Sequence, residues 1–302
     1  PQKGAGRPSG PHRPDRHRED GLFPSTYRVK WDIEGDPKVS ILIPNKDHTA
    51  DLEKCLQSIW KKTTWDNYEV IVIENNSTDP ATFAYYEAAK QRYDGLRVVT
   101  YPEQGFNFSG INNFGRKAAA GEYLLLLNND VEVLNGDWLT ELLRQCAHKG
   151  GAAICGAMLY YPDDTLQHAG VITGLGGYAG HSHKYKQKGG SGYLFRTATV
   201  QDFSAVTGAC LLVRATSTTK WAGWMSSSRW PSTMWTSACG CGMRATASPG
   251  RPMHSWSTTR ARAAAATRKT RPRRRGSRRN SSGSMPSTAK RISWTTPTTT
   301  PI

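Results

Sequence analysis

Short apolar runs alternate with amphipathic stretches along the chain from residue 39 to residue 158. The apolar runs are rich in β-branched and aromatic residues and predict buried strands at Val39–Ile43, Tyr68–Ile73, Leu96–Thr100, Tyr123–Leu127 and Ala152–Met158. The stretches between them carry apolar residues at helical spacing and predict helices at Leu52–Ile59, Pro80–Ala89, Ile111–Ala120 and Trp138–Cys146. Regular alternation of this kind predicts an α/β fold with a mostly parallel sheet and helices on both faces.

Polar residues follow three of these strands at the point where each strand ends. They are the groups Pro44–Asp47, Glu74–Asp79 and Asn128–Asp130. Because ligands of such sheets bind beyond the carboxyl ends of the strands, we expect the three groups to converge on one edge, where a nucleotide would lie. A carboxylate such as Asp130 is suited there to a hard divalent cation, which in turn holds a diphosphate. Asn and Asp are also common turn formers, so a plain polar turn is the alternative.

The net charge of +16 comes from one end of the chain. All 24 Asp and Glu precede Arg214, whereas residues 215–302 contain 16 of the 40 Lys and Arg. The first 214 residues are therefore neutral in balance, which argues against a nucleic-acid partner for them. The alternative interpretation, a basic nucleic-acid-binding protein, would be supported by the charge of the tail alone. That tail also contains six of the ten tryptophans, which is unusual for a solvated basic arm.

Cysteine usage and hydropathy bear on the cellular compartment. The cysteines before the tail lack paired spacing, as buried thiols in a reducing compartment would; they are Cys55, Cys146, Cys155 and Cys210. Cys239 and Cys241 lack the second pair that a zinc site needs. No stretch approaches the ~20 apolar residues of a membrane span, and no signal peptide is visible. We expect a cytoplasmic location, or one at the inner face of the membrane. The chain begins at Pro1 and not at a methionine, as a fragment or a processed product would.

The polar groups lie within strings that resemble the motifs of family 2 glycosyltransferases. Val39–Lys46 (VSILIPNK) resembles their opening strand, and Glu74–Asp79 (ENNSTD) resembles their V-D-D-G-S-T-D loop. Gly121–Asp130 (GEYLLLLNND) resembles G-E-Y-I-x-x-L-D-x-D, and Ile111–Gly115 (INNFG) resembles the A-R-N-x-G helix start. This resemblance covers residues 39–214. It implies a GT-A type fold and the inverting transfer of a sugar from a nucleoside-diphosphate donor.

The resemblance also implies which residues bind the donor. Those implied to contact the nucleotide sugar are Pro44, Asn45, Glu74, Asn76, Asn112, Asn128 and Asp130. Glu74 and Asn76 would touch the base or ribose, in a pocket lined by Pro44 and Asn45. Asp130 would hold Mn²⁺ or Mg²⁺ under the diphosphate. Asn128 stands where the D-x-D motif has its first Asp, which weakens the expected ribose or metal contact.

Strings further along the chain bear on the acceptor. Tyr160–Gly170 (YYPDDTLQHAG) resembles a branch of the family that builds surface polysaccharides, including rhamnose-containing ones. The resemblance therefore implies a saccharide or a lipid-linked saccharide as acceptor. His168, His181 and His183 could be acceptor contacts, a zinc cluster or simply polar loop residues.

Downstream of Arg214 the chain departs from the family pattern. The family continues with V-G-G-L-D-E and then N-D-V-D-x-C-L-R, whose aspartate is the catalytic base that deprotonates the acceptor hydroxyl. Codons read two nucleotides late permit V-G-G-L-D-E across Lys220–Ser226, where the adjacent Trp224 and Met225 force the aspartate. We therefore hypothesise that residues 215–302 are an out-of-frame translation. The chain as written would then encode no catalytic base, and the alternative function is an inactive nucleotide-sugar-binding remnant.

Three regions follow from these patterns. Residues 1–38 are expected to be irregular, because the Pro-, Gly- and Arg-rich stretch Pro1–Asp20 shows no periodicity. Residues 39–214 form a truncated glycosyltransferase domain. Residues 215–302 are expected to be disordered, because they offer too little apolar periodicity to offset the entropy of ordering.

Overall fold

The computed structural model describes residues 16–177, 179–220 and 290–292. The strands are β1 (Arg16–Asp20), β2 (Tyr27–Trp31), β3 (Val39–Asn45), β4 (Tyr68–Glu74), β5 (Leu96–Thr100), β6 (Tyr123–Leu127), β7 (Val131–Val133), β8 (Ile154–Gly156), β9 (Leu159–Tyr160), β10 (Leu166–His168), β11 (Val171–Thr173), β12 (Ala179–His181), β13 (Cys210–Arg214) and β14 (Lys290–Ile292). The helices are α1 (Thr49–Lys62), α2 (Pro80–Arg92), α3 (Phe108–Ala118), α4 (Trp138–Cys146) and α5 (Ala215–Lys220). No described helix is long and apolar enough to cross a bilayer.

A six-stranded sheet in the order β5-β4-β3-β6-β13-β8 carries the fold. Strands β5, β4, β3 and β6 pair in parallel, whereas β13 runs antiparallel to both β6 and β8. The predicted α/β architecture with a mostly parallel sheet is confirmed. The pairing of Asn45 with Glu74 at the end of the β3–β4 ladder brings the two polar loops that follow these strands side by side.

Both faces of the sheet are covered, because successive strand residues point to opposite sides. Ile41 and Ile43 pack on the face that is covered by α1, α2 and α4. Leu42, between them, packs on the opposite face, which α3 covers through Ile111. All four side chains are fully buried. This double covering explains why the strands read as continuous apolar runs in the sequence.

Side-chain caps fix where two helices begin, and hence where the loops before them end. The Asp79 side chain accepts a hydrogen bond of 2.8 Å from the Ala81 amide at the start of α2, with Pro80 in the favourable first position. Asn107 Oδ1 accepts one of 3.0 Å from the Gly110 amide. Because of this cap, α3 begins at Phe108, three residues before the predicted start.

The expectation of an irregular segment before residue 39 is wrong for residues 16–31. Strands β1 and β2 form an antiparallel hairpin in which Arg16 pairs with Trp31. The hairpin is fixed to the sheet domain by polar contacts that a periodicity search does not detect: Arg28 forms an ion pair of 2.8 Å with Glu141, and Trp31 stacks on His148 with the ring centroids 4.4 Å apart. Residues 1–15 lie outside the described part of the chain.

A second sheet of four strands, in the order β10-β9-β14-β7, lies next to the loop after β6. Strand β14 is parallel to β7 and antiparallel to β9. The expectation of disorder after Arg214 therefore does not hold for α5 and β14. Backbone pairing explains the strand, because an edge strand offers hydrogen bonds to any extended segment. The other residues of the tail, with Cys239 and Cys241, lie outside the described residues, and for them disorder remains a prediction.

Candidate functional site

Three loops meet beyond the carboxyl ends of β3, β4 and β6, and Asn45 joins them. Asn45 Oδ1 accepts a hydrogen bond of 2.7 Å from Asn129 in the loop after β6. Its backbone carbonyl accepts one of 2.9 Å from the Asn75 amide in the loop after β4. Its Nδ2 donates to the Tyr86 hydroxyl of α2 at 2.8 Å. The predicted convergence of the polar groups on one edge is what the structure has.

Glu74 is buried beneath this edge and shapes the second loop. Its Oε1 accepts from the Ser77 amide, and its Oε2 accepts from the hydroxyls of Ser77 and Tyr86. Burial raises the pKa of Tyr86, so that hydroxyl remains a neutral donor. A carboxylate offers about four acceptor positions, so these three donors leave Oε1 able to accept one further hydrogen bond.

Asp47 links the first loop to the second, although sequence reasoning did not single it out. Its carboxylate accepts from the amides of Thr78 and Asp79 at 2.7 and 3.0 Å, and its own amide donates to Ser77 Oγ at 3.0 Å. The backbone hydrogen bond from Asp79 is the main reason why the pKa of this carboxyl lies below its ordinary value. Asp47 adopts a φ of +59°, which is uncommon for a non-glycine residue. These hydrogen bonds between the two loops become visible only in the folded structure.

Asn75 and Asn76 are adjacent at the tip of the second loop, and their side chains have different surroundings. Asn76 has a φ of +57° and accepts a hydrogen bond of 2.8 Å from the Gly105 amide. Asn75 turns inward and is 4% exposed, and its Oδ1 has no hydrogen-bond partner among the described residues. A buried acceptor of this kind is costly and needs an explanation, such as a ligand that donates to it. Asn75 was missed because two adjacent asparagines in a turn do not reveal which one faces inward.

The first turns of α3 add a second group of this type. Asn112 is fully buried; its Nδ2 donates to the Phe108 carbonyl at 2.8 Å, while its Oδ1 has no partner among the described residues. Ser109, one turn earlier, is buried with an unpartnered hydroxyl in the same described set. Gly115 packs this helix closely on Ile73. Since α3 follows the loop after β5, its first turns lie toward the carboxyl ends of the strands.

Asp130 lies at the end of the loop that follows β6, at the same edge of the sheet. The Asn128 amide donates to the Ala209 carbonyl at 3.0 Å, which continues the β6–β13 pairing. Asp130 follows, half-buried, directly before β7. Burial raises the pKa of the Cys55 thiol, and the negative charge of Asp130 is the second cause, so this carboxylate lies close to α1. Pro44, also half-buried, pairs with Ile73 next to Asn45.

The metal-ligating groups around Asp130 could hold a hard cation only together with oxygen atoms from a bound ligand. Among the described residues there is no group of three or more His, Cys, Asp or Glu that could hold a metal ion. The Asp130 carboxylate supplies the oxygen type that Mg²⁺ and Mn²⁺ prefer. A cation here would therefore need further oxygens, of the kind that a diphosphate carries.

The three histidines have internal hydrogen bonds, and two of them, His168 and His181, are the last residues of strands β10 and β12. His168 Nε2 accepts from the Thr207 amide at 3.4 Å, so its Nδ1 carries the proton and faces His181 Nδ1 at 2.9 Å. His183 Nε2 accepts from the Tyr193 amide at 3.1 Å. These contacts favour a structural role for the three residues, but only His183 is a loop residue, as the interpretation as polar loop residues expected.

The sequence profile of glycosyl transferase family 2 matches residues 40–207. Because this match covers more than half of the chain, the chain belongs to family 2 of the glycosyl transferases.

Two relatives with curated descriptions are considerably longer than this chain. It is 40% identical over 194 residues to uncharacterized protein y4gI of Sinorhizobium fredii, an alignment that covers 64% of this chain and 21% of that protein. It is 39% identical over 192 residues to the O-antigen biosynthesis protein RfbC of Myxococcus xanthus, covering 63% of this chain and 15% of that protein. The aligned part thus spans about a fifth or less of these relatives.

Among solved structures, the chain is similar to the mannosyltransferase PcManGT from Pyrobaculum calidifontis in complex with GDP-Man and Mn²⁺. The superposition has a TM-score of 0.47 at 15% identity and covers 65% of this chain and 51% of that one.

The buried His168 predicts a specific pH dependence of stability. Burial is the main cause that lowers its pKa from 6.5 to about 3. Below about pH 6.5 the unfolded chain therefore binds a proton that the folded chain excludes, and stability falls as the pH falls. From this residue we expect a loss of about 1.4 kcal/mol per pH unit below that value. Urea unfolding at a series of pH values should show a flatter slope of stability against pH for His168→Gln than for the wild type. Equal slopes for His168→Gln and wild type would contradict a buried neutral imidazole.

Proposed function

We propose that this chain carries the donor-binding half of an inverting glycosyltransferase that uses a nucleoside-diphosphate sugar. The observation that carries the proposal is the meeting of three loops at Asn45, next to Asn75, whose buried carbonyl oxygen has no partner among the described residues. Asn112, in the first turns of α3, has a second buried carbonyl oxygen without a partner in the same described set. These acceptors suit the N–H groups of a nucleotide base or the hydroxyls of a ribose. A preformed site with a few placed polar groups is typical of small-molecule recognition.

The diphosphate end of the donor is proposed to lie at Asp130. A bound Mn²⁺ or Mg²⁺ would neutralise the developing negative charge on the leaving diphosphate. The role of Asp130 in this proposal is to fix that cation through its carboxylate at the start of β7. Asn128 lies two residues earlier, where its side chain can approach the ribose or the phosphates.

The acceptor is proposed to be a saccharide or a lipid-linked saccharide in the synthesis of a cell-surface glycan. The support is the relation to the O-antigen biosynthesis protein RfbC, which is 39% identical over the aligned region, and the family resemblance of residues 160–170. A cytoplasmic location, where nucleotide sugars are made, belongs to the same proposal. No nucleic-acid partner is part of it, because the first 214 residues balance 24 acids against 24 bases.

The catalytic base is proposed to be absent from the chain as written, because the segment expected to carry it is read out of frame after Arg214. This chain would then bind the donor without activating the acceptor hydroxyl. The second candidate function, an inactive nucleotide-sugar-binding remnant, describes this chain if the gene itself carries the frameshift.

Loss of the Asp130 carboxylate should remove metal-dependent donor binding. Asp130→Asn keeps the shape of the side chain but removes the negative charge. We therefore expect the gain in nucleotide affinity on adding Mn²⁺ to be at least about tenfold smaller in this variant than in the wild type. Calorimetric titration with UDP, GDP and TDP, each with and without Mn²⁺, measures this. Asp94→Asn, which removes an exposed carboxylate from the turn before β5, is the matched control. An unchanged Mn²⁺ effect in Asp130→Asn would exclude Asp130 from the site.

Replacement of Asn75 separates ligand recognition from stability. Asn75→Leu removes an acceptor that has no partner among the described residues, so the fold should keep or gain stability. If the nucleotide donates to Asn75 Oδ1, affinity should fall about tenfold, the value of a lost hydrogen bond. Asn67→Leu, at the opposite edge of the sheet before β4, should leave affinity unchanged. If Asn75→Leu bound the same nucleotide with wild-type affinity, Asn75 would have no part in recognition.

Restoring the reading frame after Arg214 should restore catalysis. The corrected chain regains the aspartate that deprotonates the acceptor, and general-base catalysis is typically worth about 10²–10⁴-fold. Sugar transfer by the two chains, measured as release of nucleoside diphosphate with a mixed acceptor preparation, should differ by at least that factor. Their donor affinities should agree within about threefold, because the donor loops are common to both. Equal transfer rates would refute the frameshift hypothesis, and the base would then have to come from residues before Arg214.

A further inference from the structure

Exposed apolar side chains are concentrated in one loop, residues 182–200. Of the ten large hydrophobic side chains that are exposed in the described residues, five lie between residues 185 and 200. The tip of this loop, Tyr193–Phe195, exposes 72% of Tyr193, 69% of Leu194 and 41% of Phe195. Three consecutive exposed apolar residues are a feature that marks an interaction site in a soluble domain.

The backbone holds this tip outward in a conformation that the residues themselves disfavour. Leu194 has a φ of +50° and Phe195 a φ of +58°, in the left-handed region that bulky residues rarely adopt. The Tyr193 amide is fixed to His183 Nε2 at 3.1 Å, and the Phe195 ring contacts Phe23 of the N-terminal hairpin with the centroids 5.5 Å apart. Strain of this kind persists where the surrounding structure imposes it, and it is frequent at functional sites.

The same loop is positively charged. Residues 182–200 contain Lys184, Lys186, Lys188 and Arg196 and no acid. Lys188 lies 3.6 Å from Asp164, whereas Lys186 and Arg196 form no ion pair with any described residue. Lys186 also lines an open cavity of about 540 Å³ that reaches from His183 to Tyr193 behind the tip. Cationic groups therefore surround an apolar tip.

We propose that the loop of residues 182–200 docks the protein on an anionic lipid bilayer. The apolar tip enters the interface between headgroups and acyl chains, while Lys186 and Arg196 contact lipid phosphates. Aromatic side chains favour this boundary, and basic residues near it are attracted by anionic lipids. An acidic glycan would match the charge equally well, and sugars could stack on the Tyr193 or Phe195 ring, but the 69% exposed aliphatic side chain of Leu194 gains from burial among acyl chains and not from contact with a sugar. An aliphatic side chain between two aromatic ones, with basic residues around them, favours the membrane.

Vesicle co-sedimentation of the full 302-residue chain tests the proposal. The vesicles are phosphatidylcholine alone, or phosphatidylcholine with about one-third phosphatidylglycerol. The C-terminal tail is itself basic, so the comparison is between variants that share the same tail. Lys186→Ala together with Arg196→Ala should weaken binding to the anionic vesicles roughly 20-fold, since each charge is worth about fivefold. Lys54→Ala together with Lys61→Ala, which removes two exposed charges from α1, should change binding less than about twofold.

The apolar tip is tested separately with Leu194→Gly. Glycine adopts a positive φ without strain, so this variant should be at least as stable as the wild type, and lost binding cannot be attributed to unfolding. We expect roughly tenfold weaker binding to anionic vesicles, and this difference should persist at high salt because it is hydrophobic. Phe83→Ser, at an exposed aromatic position of α2, is the matched control.

Several outcomes would overturn the proposal. Wild-type vesicle binding by both loop variants would assign any binding to the tail. Binding of an acidic oligosaccharide such as polygalacturonate, lost in the loop variants while vesicle binding is unchanged, would assign the loop to a glycan. Nucleotide affinity, measured in the same samples, should be unaffected by the loop variants. A failure of the donor proposal is therefore distinguishable from a failure of membrane docking.

Discussion

The buried side chain of Asn45 is the connection on which the candidate site depends. It stands at the end of the central strand β3, where three separate segments of chain must be held in one arrangement. Each of its polar groups is used: Oδ1 by Asn129, Nδ2 by Tyr86 and the backbone carbonyl by Asn75. An aspartate could not donate to Tyr86, and an apolar residue would leave partners without hydrogen bonds in a buried place, which is costly. Asparagine is the side chain of this size that can both donate and accept here.

The polar residues of the candidate site fall into two kinds, and the distinction follows from hydrogen bonding. Glu74 and Asp47 have their oxygens occupied by donors from the second loop, and they give that loop its shape. Asn75 and Asn112 are buried, and each keeps an oxygen without a partner in the described part of the chain. Folding alone does not favour such groups. The first kind therefore builds the site, and the second kind is available to a ligand.

Much of this arrangement could be predicted from the sequence, and the exceptions have physical causes. Strands β5 and β6 and helix α4 lie where the apolar pattern predicts them. Burial requires apolar residues along a strand that is covered on both faces, and at helical spacing along a helix that is buried on one face, so both leave a clear pattern in the sequence. The start of α3 was predicted late because its cap, Asn107, is a polar residue outside the apolar pattern. The N-terminal hairpin was missed because it is held by ion pairs and ring stacking. Asp47 and Asn75 were missed because their roles depend on contacts between residues far apart in sequence.

The reversed direction of β13 sets a distance that the rest of the enzyme must cover. Its first residue, Cys210, pairs with Leu127 at the donor edge, and its last, Arg214, pairs with Tyr123 at the opposite edge. Five strand residues span roughly 16 Å, so whatever follows Arg214 starts about that far from the edge of the sheet where the diphosphate is proposed to lie. A helix rises about 1.5 Å per residue, so a single turn after β13 would recover only about 5 Å. If a group downstream of β13 activates the acceptor, as proposed, about a dozen residues must lie between Arg214 and that group.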